Sequence, residues 1–145
     1  MATDGKRTIF TSACPSAAIE AKATAAVTPG ALLEQSATGI AESNDASTVF
    51  GKQPLFADYD FLGGGNVDTD WASGSTVVAR RLQPGETANV LVVTGQTISS
   101  KGMGLTSNAN GTLKLAAASG ADFVVAYSDE IITTSGTTLV KVRGA

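Results

Sequence analysis

The sequence predicts an all-β fold: a small β-barrel or β-sandwich-like domain of short strands with an extended N-terminal arm. About nine or ten short segments with strand-forming patterns follow one another at intervals of roughly 8–12 residues. Turn-forming residues, including many of the 16 glycines, separate these segments. Helical signals are weak, because no stretch carries an apolar stripe at helical spacing. A chain of 145 residues with this pattern is expected to form one β-domain.

Residues 1–21 are expected to form the arm, and residues 22–145 the single β-domain. The best helical candidate covers residues 16–26, which are rich in alanine. It contains few strongly apolar residues, and it runs into the turn sequence Pro29-Gly30. We therefore expect the arm to be extended, with at most one transient turn.

The arm has the order of residues found at the start of a secretion signal, with Lys6 and Arg7 before Ile9-Phe10. A signal needs an apolar stretch of roughly 7–15 residues, and this one stops at Thr11. The chain also lacks the run of about 18 apolar residues that would span a bilayer. We expect a soluble protein that is made and used without export.

Turns divide the first half of the domain into short strands. Thr28-Pro29-Gly30 and Lys52-Gln53-Pro54 are turn sequences, and a long loop over residues 60–74 contains Gly63-Gly64-Gly65. The predicted strands cover residues 23–27, 31–35, 40–41, 49–50 and 55–59.

The second half of the domain has the clearer strand patterns. Residues 88–94 are the most strongly apolar and β-branched segment, and residues 138–143 alternate as a half-buried strand does. Pro84-Gly85 and the sequence from Asn108 to Gly111 are turn signals, the second suited to positive φ. The predicted strands cover residues 75–82, 88–94, 112–115, 123–128 and 138–143, and residues 102–106 lead into the second turn.

The composition excludes several classes of function. Without histidine, Ser-His-Asp triads and histidine metal sites are impossible. The single cysteine, Cys14, can form neither an internal disulfide nor a thiolate zinc site. The net charge of −3 argues against a phosphate-binding surface. Because only 16% of the residues are charged, the surface is expected to be weakly charged and tolerant of contact.

Four carboxylates, Asp58, Asp60, Asp68 and Asp70, lie in or next to the long loop. Such carboxylates can ligate calcium or magnesium, or act as the acid and base of a glycosidase. Their spacing matches neither an EF-hand nor a calcium-binding nonapeptide repeat, and a glycine-rich loop with aspartate is commonly a solvated connection. We predict no catalytic residue, no metal and no cofactor.

Six residues are candidates for contact with a partner protein or a neighbouring protomer. In the arm, Arg7 can touch an acidic surface, and Ile9-Phe10 can insert into a groove or add a strand to an exposed edge. Trp71 is either part of the core at the base of the loop or a contact anchor. Arg80 and Arg81 face opposite sides of a strand, so one can pair with an acidic residue across a protomer boundary; both can also be solvated.

An ordered series of segments resembles the head decoration, or capsid cement, proteins of tailed bacteriophages, over roughly residues 27–143. The chain departs from the family pattern in the segment from Gly63 to Trp71, which is richer in glycine and aromatic residues. The series that carries the resemblance is Pro29-Gly30-Ala31-Leu32-Leu33, Leu55-Phe56-Ala57-Asp58-Tyr59-Asp60, Gly74-Ser75-Thr76-Val77-Val78-Ala79, Pro84-Gly85-Glu86, Ala88-Asn89-Val90-Leu91-Val92-Val93, Gly95-Gln96-Thr97-Ile98-Ser99-Ser100-Lys101-Gly102, Asn110-Gly111-Thr112-Leu113-Lys114, Phe123-Val124-Val125-Ala126-Tyr127 and Leu139-Val140-Lys141-Val142-Arg143.

The resemblance implies a small barrel of the β-tulip type and a structural, non-enzymatic protein of the virion. Such a protein binds the outer surface of an assembled capsid and cements neighbouring capsomers against internal DNA pressure. The implied partners are the major capsid protein and further copies of the chain, as a trimer by preference or a dimer, with neither nucleic acid nor membrane. The implied location is the capsid exterior, and the host cytoplasm during assembly.

The residues of the chain are also compatible with two other classes of function. A carbohydrate- or host-surface-binding module could use Tyr59, Phe61 and Trp71, since exposed aromatic side chains provide contact area. A small hydrolase could use the aspartate cluster, although the chain has no histidine and no motif around serine or cysteine.

Overall fold

The computed structural model describes residues 1–48 and 52–145, and it confirms the all-β prediction. Among these residues, no helix is long and apolar enough to cross a membrane. The predicted strand at residues 49–50 lies outside the described part of the chain. The described strands are β1 (Ala18–Lys22), β2 (Leu32–Ser36), β3 (Gly39–Glu42), β4 (Leu55–Ala57), β5 (Thr76–Arg81), β6 (Thr87–Val92), β7 (Thr97–Ile98), β8 (Gly104–Ser107), β9 (Leu113–Leu115), β10 (Ala126–Ser128), β11 (Ile132–Thr133) and β12 (Thr138–Gly144).

One half of the molecule is a closed five-stranded barrel with the strand order β10-β12-β6-β9-β8. The longest pairing joins β6 and β12, which are antiparallel in register from Thr87–Arg143 to Val92–Thr138. A short pairing of β8 with β10 closes the circle. The interior is apolar because every second residue of β6 and β12 points inward, and it includes Val90, Val92, Leu105, Leu113, Val140 and Val142.

The other half is a five-stranded sheet with the order β1-β5-β4-β2-β3. Its two outer strands approach each other, since a parallel bridge joins Ala23, just after β1, to Ile40 in β3. Gly39 makes this approach possible: it has a φ of 148°, and a Cβ atom there would overlap the carbonyl oxygen of Lys22. The sheet therefore curls almost into a second barrel.

The two halves pack on each other through β2 and β4 of the sheet, where Leu32, Leu33, Leu55 and Phe56 are buried. Leu32 and Phe56 belong to the apolar core of the barrel, whereas Leu33 and Leu55 belong to the core of the sheet. Successive side chains of a strand point to opposite faces, so two adjacent residues serve two cores. The backbone also joins the halves, because the amide of Leu91 donates to the carbonyl of Gly30 at 3.0 Å.

The clearest sequence patterns correspond to observed strands. Predicted residues 75–82, 88–94 and 138–143 match β5, β6 and β12 within a few residues. Residues 23–27 form two isolated bridges, at Ala23 and Val27, and no strand. The short strands β7 and β11, which pair with each other, were not predicted.

The N-terminal residues lie against both halves. Ala2 forms a bridge with Thr138 on β12, and Phe10 forms one with Ala88 on β6. The chain then enters the sheet as β1, which pairs with β5 from Ala18–Arg80 to Lys22–Thr76. The predicted boundary at residue 21 thus falls inside β1, and the last residues of the arm are a strand of the sheet.

Candidate functional site

The two apolar residues of the arm are packed on the protein itself. Ile9 is completely buried in the core of the sheet half, and its carbonyl accepts a 2.6 Å hydrogen bond from the amide of Asn89. The side-chain amide of Asn89 donates to the carbonyl of Thr8 at 2.8 Å. Phe10 is half-buried and packs against both cores. In the isolated chain, the Ile9 side chain therefore has no surface to offer to a partner.

Arg7 is exposed at the edge of a polar cavity of about 330 Å³ between the arm and the long loop. Lys6, Asn66 and Asp68 also line this cavity. Lys6 forms ion pairs of 3.3 Å with Asp4 and 2.9 Å with Glu130. Of the predicted contact residues in the arm, Arg7 is the one that the structure leaves on the surface.

Trp71 is part of the core at the base of the loop, with 6% of its surface exposed. Its indole nitrogen donates a 2.8 Å hydrogen bond to the carbonyl of Asp58, and its backbone forms a two-way bridge with Val27. Of the two roles that the sequence left open for Trp71, the structure therefore favours the core residue.

Arg80 and Arg81 lie in different surroundings, as expected for neighbours on a strand. Arg80 pairs with Asp58 of its own chain, with 3.2 Å between Nε and Oδ2, and donates to the carbonyl of Ser16 at 2.8 Å. Arg80 therefore has an ion-pair partner within its own chain. Arg81 is partly exposed and donates long, 3.4 Å hydrogen bonds to the Gln53 carbonyl and the Gln35 side chain.

Two carboxylates of the loop have partners of their own. Asp58 is held by Arg80, and the Asp60 carboxylate accepts a 2.8 Å hydrogen bond from the amide of Gly63. Among residues 1–48 and 52–145, no group of three or more potential ligands is placed to hold a metal ion.

The tip of this loop exposes two large apolar side chains. Leu62 is 79% exposed and Phe61 is 44% exposed. The Phe61 ring meets the Tyr59 ring edge to face, with 5.7 Å between the ring centroids. The backbone behind the tip is fixed, since Gly65 donates to the Asp60 carbonyl at 2.8 Å and Val67 is buried. We call Asp60, Phe61 and Leu62 the loop tip.

A second apolar surface lies on the outside of the barrel. Phe123, Val124 and Tyr127 are all exposed large apolar side chains. Tyr127 on β10 lies beside Arg143 on β12 and Gly104 on β8, and a Cβ atom at Gly104 would lie 3.2 Å from a methyl group of Val124. We call Phe123, Val124, Tyr127 and Arg143 the barrel face.

A groove of about 310 Å³ borders the barrel face. Phe123 and Val124 form one side of it, and Pro54, Leu82 and Pro84 also line it. Next to the groove, the backbone amide of Ala117 donates to Asp122 at 2.7 Å. This hydrogen bond, together with one from the Ser47 side chain, lowers the pKa of the Asp122 carboxyl.

The six predicted contact residues were thus selected by chemical type, and the two exposed apolar surfaces of the structure, the loop tip and the barrel face, contain none of them. The loop tip and the barrel face were not predicted as contacts, apart from Phe61 in the carbohydrate-binding alternative. One signal was available for Leu62, because it stands next to three glycines, which have no side chains to cover it. The exposure of Tyr127 depends on neighbours from two other strands and leaves no local signal.

Comparison with known proteins gives a likeness of fold. No family model matches the chain, and no curated protein is significantly similar to it. One solved structure with a similar fold is the head fiber gp8.5 N base in bacteriophage phi29, at a TM-score of 0.54 and 20% sequence identity. The match covers 89% of this chain and 93% of that chain. In fold, over nearly its whole length, the chain is similar to the base of a phage head fiber.

Proposed function

We propose that this protein is a structural component of a phage virion that binds the outer surface of the assembled capsid. It cements neighbouring capsomers against internal DNA pressure, as an oligomer with a trimer preferred, and it has no catalytic role. The observation that carries the proposal is the likeness in fold to a phage head protein over 89% of the chain. The sequence resemblance to phage head decoration proteins supports the same class of function.

The surface of the molecule is suited to such a role. Two exposed apolar surfaces, the loop tip and the barrel face, are held on a framework of paired strands. Rigid contact residues lose little conformational entropy when they are buried against a partner. A protein that binds the assembled shell and not its dispersed subunits stabilises the shell by its own binding free energy. Many copies acting together give avidity without strong single contacts.

The direct test is binding to capsids that lack the protein. Purified protein is mixed with such capsids and sedimented, and we expect it to sediment with mature shells and not with dissociated capsid subunits. Decorated shells should survive heating or osmotic shock better than bare shells. If the protein stays in the supernatant at saturating capsid concentrations, the proposal is wrong.

A recognition module for carbohydrate or a host surface is the alternative, and the edge-to-face pair of exposed Phe61 with partly buried Tyr59 favours it. The burial of Trp71 removes one of the three aromatic residues that this reading used. A glycan array separates the two functions: a reproducible ligand that is lost in Phe61→Ala would support the module. Phe123→Ala, which changes an exposed aromatic residue on the barrel face, is the matched control.

A further inference from the structure

We propose that a second copy of this chain is the partner of the barrel face, and that it contributes its loop tip. The interface is heterologous, since the two surfaces that meet are different. The inference extends the oligomer of the proposed function by naming the surfaces that form it, and it can fail or hold independently of capsid binding.

The loop tip has the properties of an inserting element. Leu62 is the most exposed large apolar side chain in the described residues, and Phe61 stands next to it. The turn below them is fixed by two hydrogen bonds to Asp60, from Gly63 to its side chain and from Gly65 to its carbonyl, each 2.8 Å long. The tip is therefore presented in a defined conformation before any partner binds.

The charge around the loop tip is negative. Residues 59–75 contain three aspartates and no lysine or arginine. Asp68 and Asp70 are exposed and Asp60 is partly exposed. Asp58, which stands just before this range, is neutralised by Arg80. Arg7 lies across the polar cavity from Asp68, on the side of the arm. A partner for the tip should therefore combine an apolar surface with positive charge.

The barrel face meets both requirements. Arg143 is exposed beside Tyr127 on the neighbouring strand, so the cation adjoins the apolar surface. The groove behind Phe123 and Val124 is about 310 Å³ and is lined mainly by apolar and proline side chains. Lys52 lines the groove as well, and 64% of its side chain is exposed although it pairs with Asp45. Asp122, the acidic residue next to Phe123 in the chain, is already engaged by the Ala117 amide.

The two surfaces belong to different parts of the molecule. The loop tip lies in the connection from β4 to β5 of the sheet half, and the barrel face lies on β10, β12 and the residues just before β10. In the described residues, no hydrogen bond or ion pair links one to the other. Contact between unlike surfaces on successive copies produces a closed ring when the rotation between copies closes, and an open chain when it does not. A trimer, the oligomer preferred in the proposed function, is the smallest closed ring of more than two copies that such contacts can form.

The first experiment measures the mass of the protein in solution by sedimentation equilibrium. We expect the wild type to be an oligomer, and Leu62→Asp and Tyr127→Asp each to weaken self-association by roughly tenfold or more. Ile131→Asp is the control, because Ile131 is 67% exposed but belongs to neither surface. A monomeric wild type, or an oligomer that both substitutions leave intact, would overturn the proposal.

The second experiment mixes the two variants. Leu62→Asp keeps an intact barrel face and Tyr127→Asp keeps an intact loop tip, so a mixture can form one interface and should stop at a pair of chains. In an NMR titration, labelled Leu62→Asp should show shifts around Tyr127 and Arg143 when unlabelled Tyr127→Asp is added. Shifts confined to other regions, or none at millimolar concentration, would contradict the proposal. The unperturbed spectrum of each variant checks that it is folded.

Capsid co-sedimentation of the same variants separates this inference from the proposed function. If the protein forms an oligomer that depends on Leu62 and Tyr127 but does not sediment with capsids, the proposed interface is supported and the capsid role is wrong. If the wild type is a monomer that binds capsids, the proposed interface is wrong and the capsid role stands.

Discussion

Asp58 shows how one residue can connect several parts of this small domain. Its carboxylate pairs with Arg80, and its carbonyl accepts the indole hydrogen bond of Trp71. Arg80 in turn reaches the carbonyl of Ser16, just before β1. The arm, the loop base and the centre of the sheet therefore meet at one ion pair whose carboxylate side chain is 8% exposed.

We expect Arg80→Ala to lower the free energy of unfolding by about 3 kcal/mol, because it leaves the buried Asp58 carboxylate without its cation. Arg81→Ala is the matched control on the next residue. Its hydrogen bonds are long and partly exposed, so its effect should stay within about 0.5 kcal/mol. Urea unfolding measures both, and equal effects would contradict the role given to the ion pair.

The pKa of the Asp122 carboxyl gives a prediction about how the stability of the folded protein depends on pH. The folded protein holds this pKa below its usual value, chiefly through the Ala117 amide and then the Ser47 side chain. The contribution of Asp122 to stability is therefore fully present above the pKa of the unfolded chain, and is lost as pH falls through the lower folded pKa. An NMR titration of the Asp122 carboxyl should give a midpoint below that of an exposed model aspartate. An ordinary or raised midpoint would show that the hydrogen bonds do not persist in solution.

At the scale of elements, the sequence predicted strands whose own pattern is strong and missed those that depend on a partner. The segments that became β5, β6 and β12 are rich in β-branched residues and alternate clearly. β1 has the alternating burial of a strand but only Ile19 as a strongly apolar residue. Its partner β5 lies more than fifty residues away, and no local pattern records such a pairing.

The same reason explains the outcome for the candidate contacts. The sequence predicts Ile9 as a contact residue of an extended arm, because residues 1–21 contain few strongly apolar residues. In the structure its neighbours include Gly30 and Leu139. The identities of Arg80 and Trp71 suggested contact, and their partners within the chain could be known only from the fold. A side chain must be exposed to contact a partner protein, and its exposure depends on packing with residues that are distant in the sequence.

Ile9→Ala tests whether the arm is part of the folded core. We expect a loss of about 2–5 kcal/mol in the free energy of unfolding, the range for truncating a fully buried aliphatic side chain. Ile131→Ala, which truncates an exposed isoleucine, should change stability by less than about 0.5 kcal/mol. Thermal or urea unfolding compares them, and a neutral Ile9→Ala would mean that the arm does not occupy this position in solution.

Gly39→Ala tests the meeting of the outer strands of the sheet. The new Cβ atom would overlap the Lys22 carbonyl oxygen in addition to the strain of a positive φ. Gly64→Ala is matched in having a positive φ, but nothing lies within 4 Å of the position of its Cβ atom. The control should cost about 1 kcal/mol from backbone strain alone, and Gly39→Ala clearly more. Similar losses in both variants would show that the contact with Lys22 is absent.

At the scale of the whole molecule, the barrel and the sheet form one structure because β2 and β4 of the sheet pack on the barrel. Leu32 and Phe56 are fully buried, and both belong to the barrel core although their strands belong to the sheet. Removing these two strands would break the sheet and also uncover the barrel core. Sequence periodicity can indicate that strands exist, but it does not distinguish one sheet from two or show which strands of one pack on the other.

We therefore expect the protein to unfold in a single cooperative transition. Trp71, the only tryptophan, reports on the sheet half through its fluorescence, whereas far-UV circular dichroism reports on all strands. The two signals should change with the same midpoint in urea. A fluorescence change that precedes the change in circular dichroism would show that the sheet opens independently of the barrel.

The bridge between Ala23 and Ile40 also affects the resistance of the protein to aggregation. Unpaired strand edges act as templates for aggregation and amyloid growth, and native proteins protect them by covering, charging or closing them. Here the barrel is closed and the edges of the sheet meet at that bridge. These ten strands therefore offer less open backbone for pairing with another chain than an open sheet of the same size would.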